Sequence, residues 1–93
     1  MHDNIMLVDS ESIEYFDKEI GELVDEIEHC GWRAYGLLKE GKDSESRKFN
    51  DKITELEPKL FQFREQKAKA LEKLGKQDEA HKLREKNEKK ELY

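Results

Sequence analysis

The chain has 93 residues, of which 44% are charged and 34% are hydrophobic. A chain of this length forms one domain, and its few apolar residues exclude a large globular core. The single cysteine excludes an intramolecular disulfide and a cysteine-based zinc site. No apolar run approaches the roughly 20 residues that a membrane-spanning helix needs. We therefore expect a cytoplasmic protein that has no contact with membranes and holds neither a metal nor a cofactor.

Charge is unevenly distributed along the chain, whose net charge is −5. Residues 1–31 contain ten acidic residues against one basic residue, Lys18, whereas the last third of the chain is rich in lysine. We expect this basic third to fold back beside the acidic half and neutralise it internally. An external target for the acidic half is the alternative.

The first predicted element is a helix over 9–40, preceded by a disordered or extended arm over 1–8. Asp9 is a good N-cap, and Gly41 suits the left-handed position after a helix. Eight consecutive heptad a and d positions are apolar or small, which predicts one continuous packing stripe. These seam positions are Ile13, Phe16, Ile20, Leu23, Ile27, Cys30, Ala34 and Leu37. Because one chain offers so little core, we expect the first six of them to pair two copies in a homodimer.

Two further helices are predicted, over 45–74 and 78–91. Pro58 falls inside the first of them and predicts either a kink or a break. Two long helices joined by a short polar turn predict an antiparallel hairpin, with Ile27 near Leu56 and Ile20 near Phe63. The expected fold is therefore all-α: a coiled-coil-like antiparallel hairpin with a short third helix in one domain over 9–91, dimerising into a helical bundle.

Paired carboxylates provide the one pattern that indicates an enzyme. Glu19-x-x-Glu22 followed by Glu40-x-x-Asp43 resembles the loose acidic pattern of the all-helical nucleotide pyrophosphohydrolases, whose carboxylates hold Mg²⁺. That resemblance implies a Mg²⁺-dependent enzyme. However, the second pair spans a helix end, and acidic residues are frequent in this chain. We expect no enzyme here and keep this reading as the second alternative.

Aromatic residues outside the packing stripe indicate a contact surface. Trp32 lies opposite the stripe, Tyr35 follows three residues later, and Phe61 lies off the stripe of the second helix. Tryptophan and tyrosine are enriched among residues that dominate binding energy. Three readings are open for Trp32: contact with a second chain, burial by a bend at Gly31 and Gly36, or plain exposure.

These features predict a small, non-enzymatic protein-binding module, either an adaptor or an inhibitor. Its expected partner is another protein. The first alternative is an acidic mimic of nucleic acid that blocks a nucleic-acid-binding protein, because acidic residues off the stripe could imitate a row of phosphates. Binding of nucleic acid itself is not expected. The acidic residues concerned are Asp17, Glu22, Asp25 and Glu28.

Overall fold

The structure, a computed structural model, describes the backbone of residues 3–92 and the side chains of residues 12–92. Three helices follow one another: α1 over Asp3–Lys39, α2 over Asp43–Lys73 and α3 over Gln77–Glu88. No strand occurs among these residues, so the predicted all-α class is confirmed. None of the described helices is both long enough and apolar enough to cross a membrane.

The helices differ from the predicted ones at the start of α1 and at the end of α3, and Pro58 does not break α2; the other boundaries agree within two residues. α1 begins at Asp3 rather than at Asp9, so 3–8 continue the helix where an arm was predicted. No glycine or proline occurs before Gly21, and nothing in the local sequence therefore forces a break. α2 continues through Pro58. Pro58 has no N–H group to donate to the Thr54 carbonyl. Both residues are exposed, so a water molecule can donate to that carbonyl instead. α3 ends at Glu88 rather than at residue 91.

Both turns between helices use a glycine with left-handed backbone. Gly41 has φ +79°, and the Lys42 N–H donates to the Leu37 carbonyl at 2.9 Å. Gly75, with φ +81°, repeats the same pattern at the end of α2. This Schellman arrangement satisfies carbonyls that the helix end leaves free, and only glycine adopts it without strain. The turns are therefore fixed by two residues that the sequence already marks.

The seam of α1 packs against α2 and forms the centre of the hairpin. Ile27 is fully buried and clusters with Leu56 and Leu60, in the register predicted from the sequence. The Ser46 hydroxyl donates to the Ala34 carbonyl at 2.8 Å in a buried position near the turn. Together, these contacts fix how the two long helices align.

The third helix packs against α2 through small side chains. Ala80 is buried together with Ala68 and Leu71. At the rim, the Arg84 guanidinium bonds to the carboxylates of Glu65 and Glu72. The hydrogen bond from Arg84 lowers the pKa of Glu72, and the two carboxylates raise the pKa of Arg84. α3 is therefore held against α2 by a small apolar cluster and, at its edge, by the ion pairs of Arg84 with Glu65 and Glu72.

The acidic half of α1 is neutralised in part by α2 rather than by α3. Lys67 pairs with Asp17, and Lys52 pairs with Glu26 at 3.6 Å. Among the described side chains, the ion pairs that α3 forms with another helix are formed with α2. Internal complementarity therefore exists, but the basic residues of α3 do not supply it through ion pairs among the described side chains.

The chain after α3 folds back onto the hairpin. Lys90 has φ +56°, and its turn repeats the hydrogen-bond pattern of the two glycine turns. The next carbonyl, that of Glu91, accepts a hydrogen bond from the buried Arg64 guanidinium. Leu92 then packs against the cluster of Ile27, Leu56 and Leu60. Burial lowers the pKa of Arg64, and the Glu91 carboxylate offsets only part of this shift.

The described chain forms a thin layer of helices, with extents of 55 × 27 × 14 Å. Ile27 and Cys30, two of the residues predicted to pair two copies, are already buried within one chain. The other four remain half-buried: Ile13, Phe16, Ile20 and Leu23. A layer about one helix thick cannot cover its seam from both sides. The predicted homodimer stays a prediction, and these four residues are the ones still available to it.

A candidate protein-binding surface on the first helix

The outer side of α1 carries two large aromatic side chains that are each more than half exposed. Trp32 is 68% exposed and Tyr35 is 53% exposed. Ile27, Cys30 and Ala34 are buried on the side of α1 that packs against α2. The helical repeat therefore places Trp32 on the opposite side of α1. The reading in which a bend buries Trp32 is therefore wrong.

A groove lies beside Trp32 and is lined by Glu28, Gly31, Trp32 and Tyr35. These residues occupy positions i, i+3, i+4 and i+7 of one helix. Four residues in this arrangement form the hole that receives a side chain from a neighbouring helix in coiled coils. Gly31 has no side chain to fill the middle of the hole, so the walls are formed by the two aromatic rings and the glutamate.

The aromatic walls of this groove are held in place by their neighbours. The rings of Trp32 and Tyr35 meet edge to face, with centroids 6.5 Å apart and an interplanar angle of 80°. The Lys39 ammonium lies 5.1 Å from the centroid of the Tyr35 ring, on its face. Side chains that are already oriented lose less conformational entropy when a ligand binds. The groove is therefore preorganised on its aromatic side.

The opposite flank of Trp32 has a second, separate depression. Its lining includes Arg33, Gly36, Leu37 and Glu40. A Cβ placed on Gly36 meets no atom within 4 Å, so nothing described in this chain requires a glycine there. Arg33 lies over the ring of Phe49, at 5.6 Å from its centroid. This flank is thus bordered by the hairpin turn, whereas the groove at Gly31 opens away from it.

The acidic residues predicted to form a contact surface fall into two groups. Asp17 is paired with Lys67 of α2 and faces the hairpin. Glu22, Asp25 and Glu28 are exposed, and none of them has an ion-pair partner among the described side chains. Of the four, only Glu28 lines the groove with Trp32 and Tyr35. The outer side of α1 thus carries negative charge beside its aromatic pair.

Phe61 does not belong to this surface. It is half-buried on α2, and its carbonyl accepts a hydrogen bond from the Asn87 amide nitrogen at 2.9 Å. The C-terminal turn of α3 thus lies against it, whereas the aromatic pair of α1 is on a different helix. The sequence prediction grouped the three aromatic residues, and the structure separates Phe61 from the other two.

The carboxylate pairs of the enzyme alternative are far apart. Glu19-x-x-Glu22 and Glu40-x-x-Asp43 are separated by roughly 30 Å at the helical rise of 1.5 Å per residue. Among the described side chains, no three histidine, cysteine or acidic residues are grouped so that they could hold a metal ion. The structure therefore does not bring these two pairs into one site.

Two structural features escaped the sequence prediction. Gly31 was predicted only as a position where a bend in α1 could bury Trp32, and not as part of the lining of a groove with Glu28 and Tyr35. The spacing i, i+3, i+4, i+7 with a small residue at i+3 was the pattern that could have shown it. Leu92, an apolar residue in a highly charged tail, was the corresponding indication of the contact that the chain end makes with the core.

Comparison of the chain with protein-family models, with curated proteins and with solved structures finds no match in any of the three.

Proposed function

We propose that this protein is a non-enzymatic protein-binding module, an adaptor or inhibitor, whose contact surface is the outer side of α1. We define this surface, the Trp32 surface, by Glu28, Gly31, Trp32 and Tyr35. The observation that carries the proposal is the exposure of Trp32, at 68%, beside an oriented Tyr35. Exposing the largest aromatic side chain to water is unfavourable unless a partner covers it.

The proposal can be tested by affinity capture from native cell lysate, using the intact chain as bait. Wild type and Trp32→Ala are compared, and proteins retained only by wild type are identified by mass spectrometry. Tyr15→Ala is the matched control, because Tyr15 is another exposed aromatic residue of α1, 52% exposed, but it contacts Phe16 and Phe63 instead. A protein lost with Trp32→Ala and kept with Tyr15→Ala supports the proposal.

For a protein found in this way, Trp32→Ala should weaken binding by about 2 kcal/mol or more, as truncation of a dominant interface residue does. The melting temperature of the variant should stay close to that of wild type, because the side chain makes few contacts within the chain. A capture profile identical for wild type and Trp32→Ala would contradict the proposal.

A second candidate is the acidic mimic of nucleic acid. It is favoured by Glu22, Asp25 and Glu28, whose exposed carboxylates have no ion-pair partner among the described side chains. The two candidates differ in their response to salt. Mimicry requires partner binding that weakens steeply as salt increases, since long-range charge attraction is screened. An aromatic contact changes little under the same conditions. Measuring the affinity for the captured protein at low salt and at 0.5 M therefore separates the two.

A further inference from the structure

We infer that the partner of the Trp32 surface presents a basic amphipathic α-helix, one of whose side chains enters the groove at Gly31. This inference rests on the proposed function and specifies the kind of partner. Three observations support it: the arrangement of the groove, the missing side chain at its base, and the charge around it.

The arrangement of the groove favours a helix over an extended peptide. Glu28, Gly31, Trp32 and Tyr35 form the four-residue hole into which a facing helix inserts one side chain. An extended segment that binds by strand addition would need a free strand edge, and the described residues contain no strand. An exposed helix that already carries such a hole therefore fits another helix.

The missing side chain at Gly31 permits a close approach. Glycine inside a helix costs about 1 kcal/mol relative to alanine. Gly31 lines the groove together with Glu28, Trp32 and Tyr35, and it adds no Cβ to that lining. The residue therefore keeps open the space that a partner side chain would occupy.

The charge around the groove favours a basic occupant. Glu28 forms one wall, and Asp25 lies one turn before it; neither has an ion-pair partner among the described side chains. An arginine or lysine entering the groove would place its methylene stem over Gly31. Its charged group could then reach both the Glu28 carboxylate and the face of the Trp32 ring. A second acidic helix would be repelled.

The test uses three fluorescein-labelled peptides of about 20 residues, a length at which an isolated helix can form. The first is an amphipathic helix of leucine and arginine, the second has a proline at a central polar position, and the third has glutamate in place of every arginine. Binding to the intact chain is followed by fluorescence anisotropy. Since the chain has one tryptophan, a blue shift of its emission reports directly on Trp32.

The inference expects saturable binding of the first peptide with a blue shift of Trp32. The proline and glutamate peptides should each bind at least about tenfold more weakly, since one loses the helix and the other the charge complementarity. Equal binding of the proline peptide would contradict a helical partner, and equal binding of the glutamate peptide would contradict a basic one. Absence of binding by all three would overturn the inference.

Variants of the protein locate the binding site. Gly31→Leu fills the groove and should weaken binding of the arginine peptide about 30-fold or more. Gly21→Leu is the matched control, because Gly21 is an exposed glycine of α1 about 15 Å from Gly31 along the helix, and a Cβ there meets no atom within 4 Å. Equal loss in the two variants would contradict the assignment.

A second pair of variants keeps the test decisive if Gly31→Leu fails to fold, which circular dichroism would reveal. Glu28→Lys should weaken binding more than Glu22→Lys, because both change the net charge equally and only Glu28 lines the groove. Equal effects would mean non-specific charge attraction and overturn the inference.

A blue shift of Trp32 on concentrating the protein alone would show that a second copy covers the surface, which also overturns the inference. If lysate capture depends on Trp32 while the peptides fail, only this inference is wrong and the proposed function stands.

Discussion

The Arg64 guanidinium on α2 donates a hydrogen bond to the main-chain carbonyl of Glu91, which lies 27 residues further along the chain. Arg64 is only 2% exposed, and no carboxylate side chain forms a salt bridge with it among the described residues. Its long side chain thus serves as packing for the folded-back chain end as well as a donor to it. This contact places Leu92 on the hairpin core.

Replacing Arg64 should show which of these two contributions dominates. Arg64→Ala should lower the free energy of unfolding by about 2–4 kcal/mol, because it removes a large buried side chain. Arg64→Met keeps most of that volume and should cost less than about 1.5 kcal/mol. Urea denaturation followed by circular dichroism measures both. A methionine variant as unstable as the alanine variant would mean that the hydrogen bond to Glu91 dominates.

The left-handed turn at Lys90 offers a stabilising substitution. A residue with a Cβ pays about 1–2 kcal/mol for this conformation, whereas glycine adopts it freely. Glycine also makes the unfolded chain more flexible, which offsets part of this gain. Lys90→Gly should therefore raise the free energy of unfolding by about 0.5–1 kcal/mol. Lys89→Gly is the control and should destabilise, because Lys89 has φ −82°. Destabilisation by Lys90→Gly would contradict the observed turn.

Stability should depend on pH through Glu72 and Arg84. The bond from Arg84 lowers the pKa of Glu72 below its ordinary 4.5. The charged carboxylate therefore contributes stability above that ordinary value, and the contribution is lost as pH falls through the lowered pKa of the folded state. Wild type should melt at a higher temperature than Glu72→Gln at pH 7, and the difference should shrink as the pH falls below 4.5. In an Arg84→Gln background, Glu72→Gln should show a smaller pH-dependent difference, because the hydrogen bond from Arg84 is the main cause of the lowered pKa of Glu72.

Self-association through the half-buried seam is the fourth prediction. Sedimentation equilibrium at tens of micromolar should give about twice the 11.1 kDa chain mass. Because the contact would be apolar, 0.5 M salt should not reduce that mass. A monomer under these conditions would mean that Phe16, Ile20 and Leu23 are sufficiently covered by α2.

The sequence predicted the helical hairpin well because its evidence is periodic. Apolar residues at heptad spacing identify the packing side of α1, and Gly41 and Gly75 mark turns that require left-handed backbone. The register of Ile27 with Leu56 followed from the length of the turn alone. Exposure of Trp32 was among the readings left open, and only the packed structure could exclude its burial by a bend.

The parts that could not be predicted depend on contacts between distant segments. Nothing in the local sequence shows that Arg64 meets the Glu91 carbonyl, or that Arg84 pairs with Glu65 and Glu72 instead of the acidic residues of α1. Whether Phe61 is exposed or covered depends on how α3 packs against α2. The polar sequence of α3 has few apolar positions that could indicate this packing. Long-range ion pairs have no periodic pattern in one sequence.

The position of Leu92 has a consequence for how the chain unfolds. Among the described residues, the helix backbones that approach closely are neighbours in the chain, α1 with α2 and α2 with α3. A stack built in this way can lose its outer helix without disturbing the rest, as repeat proteins lose terminal repeats. Leu92 connects the end of the chain to a cluster shared by α1 and α2. We therefore expect loss of α3 to expose part of the hairpin core, so that the three helices unfold together instead of one after another.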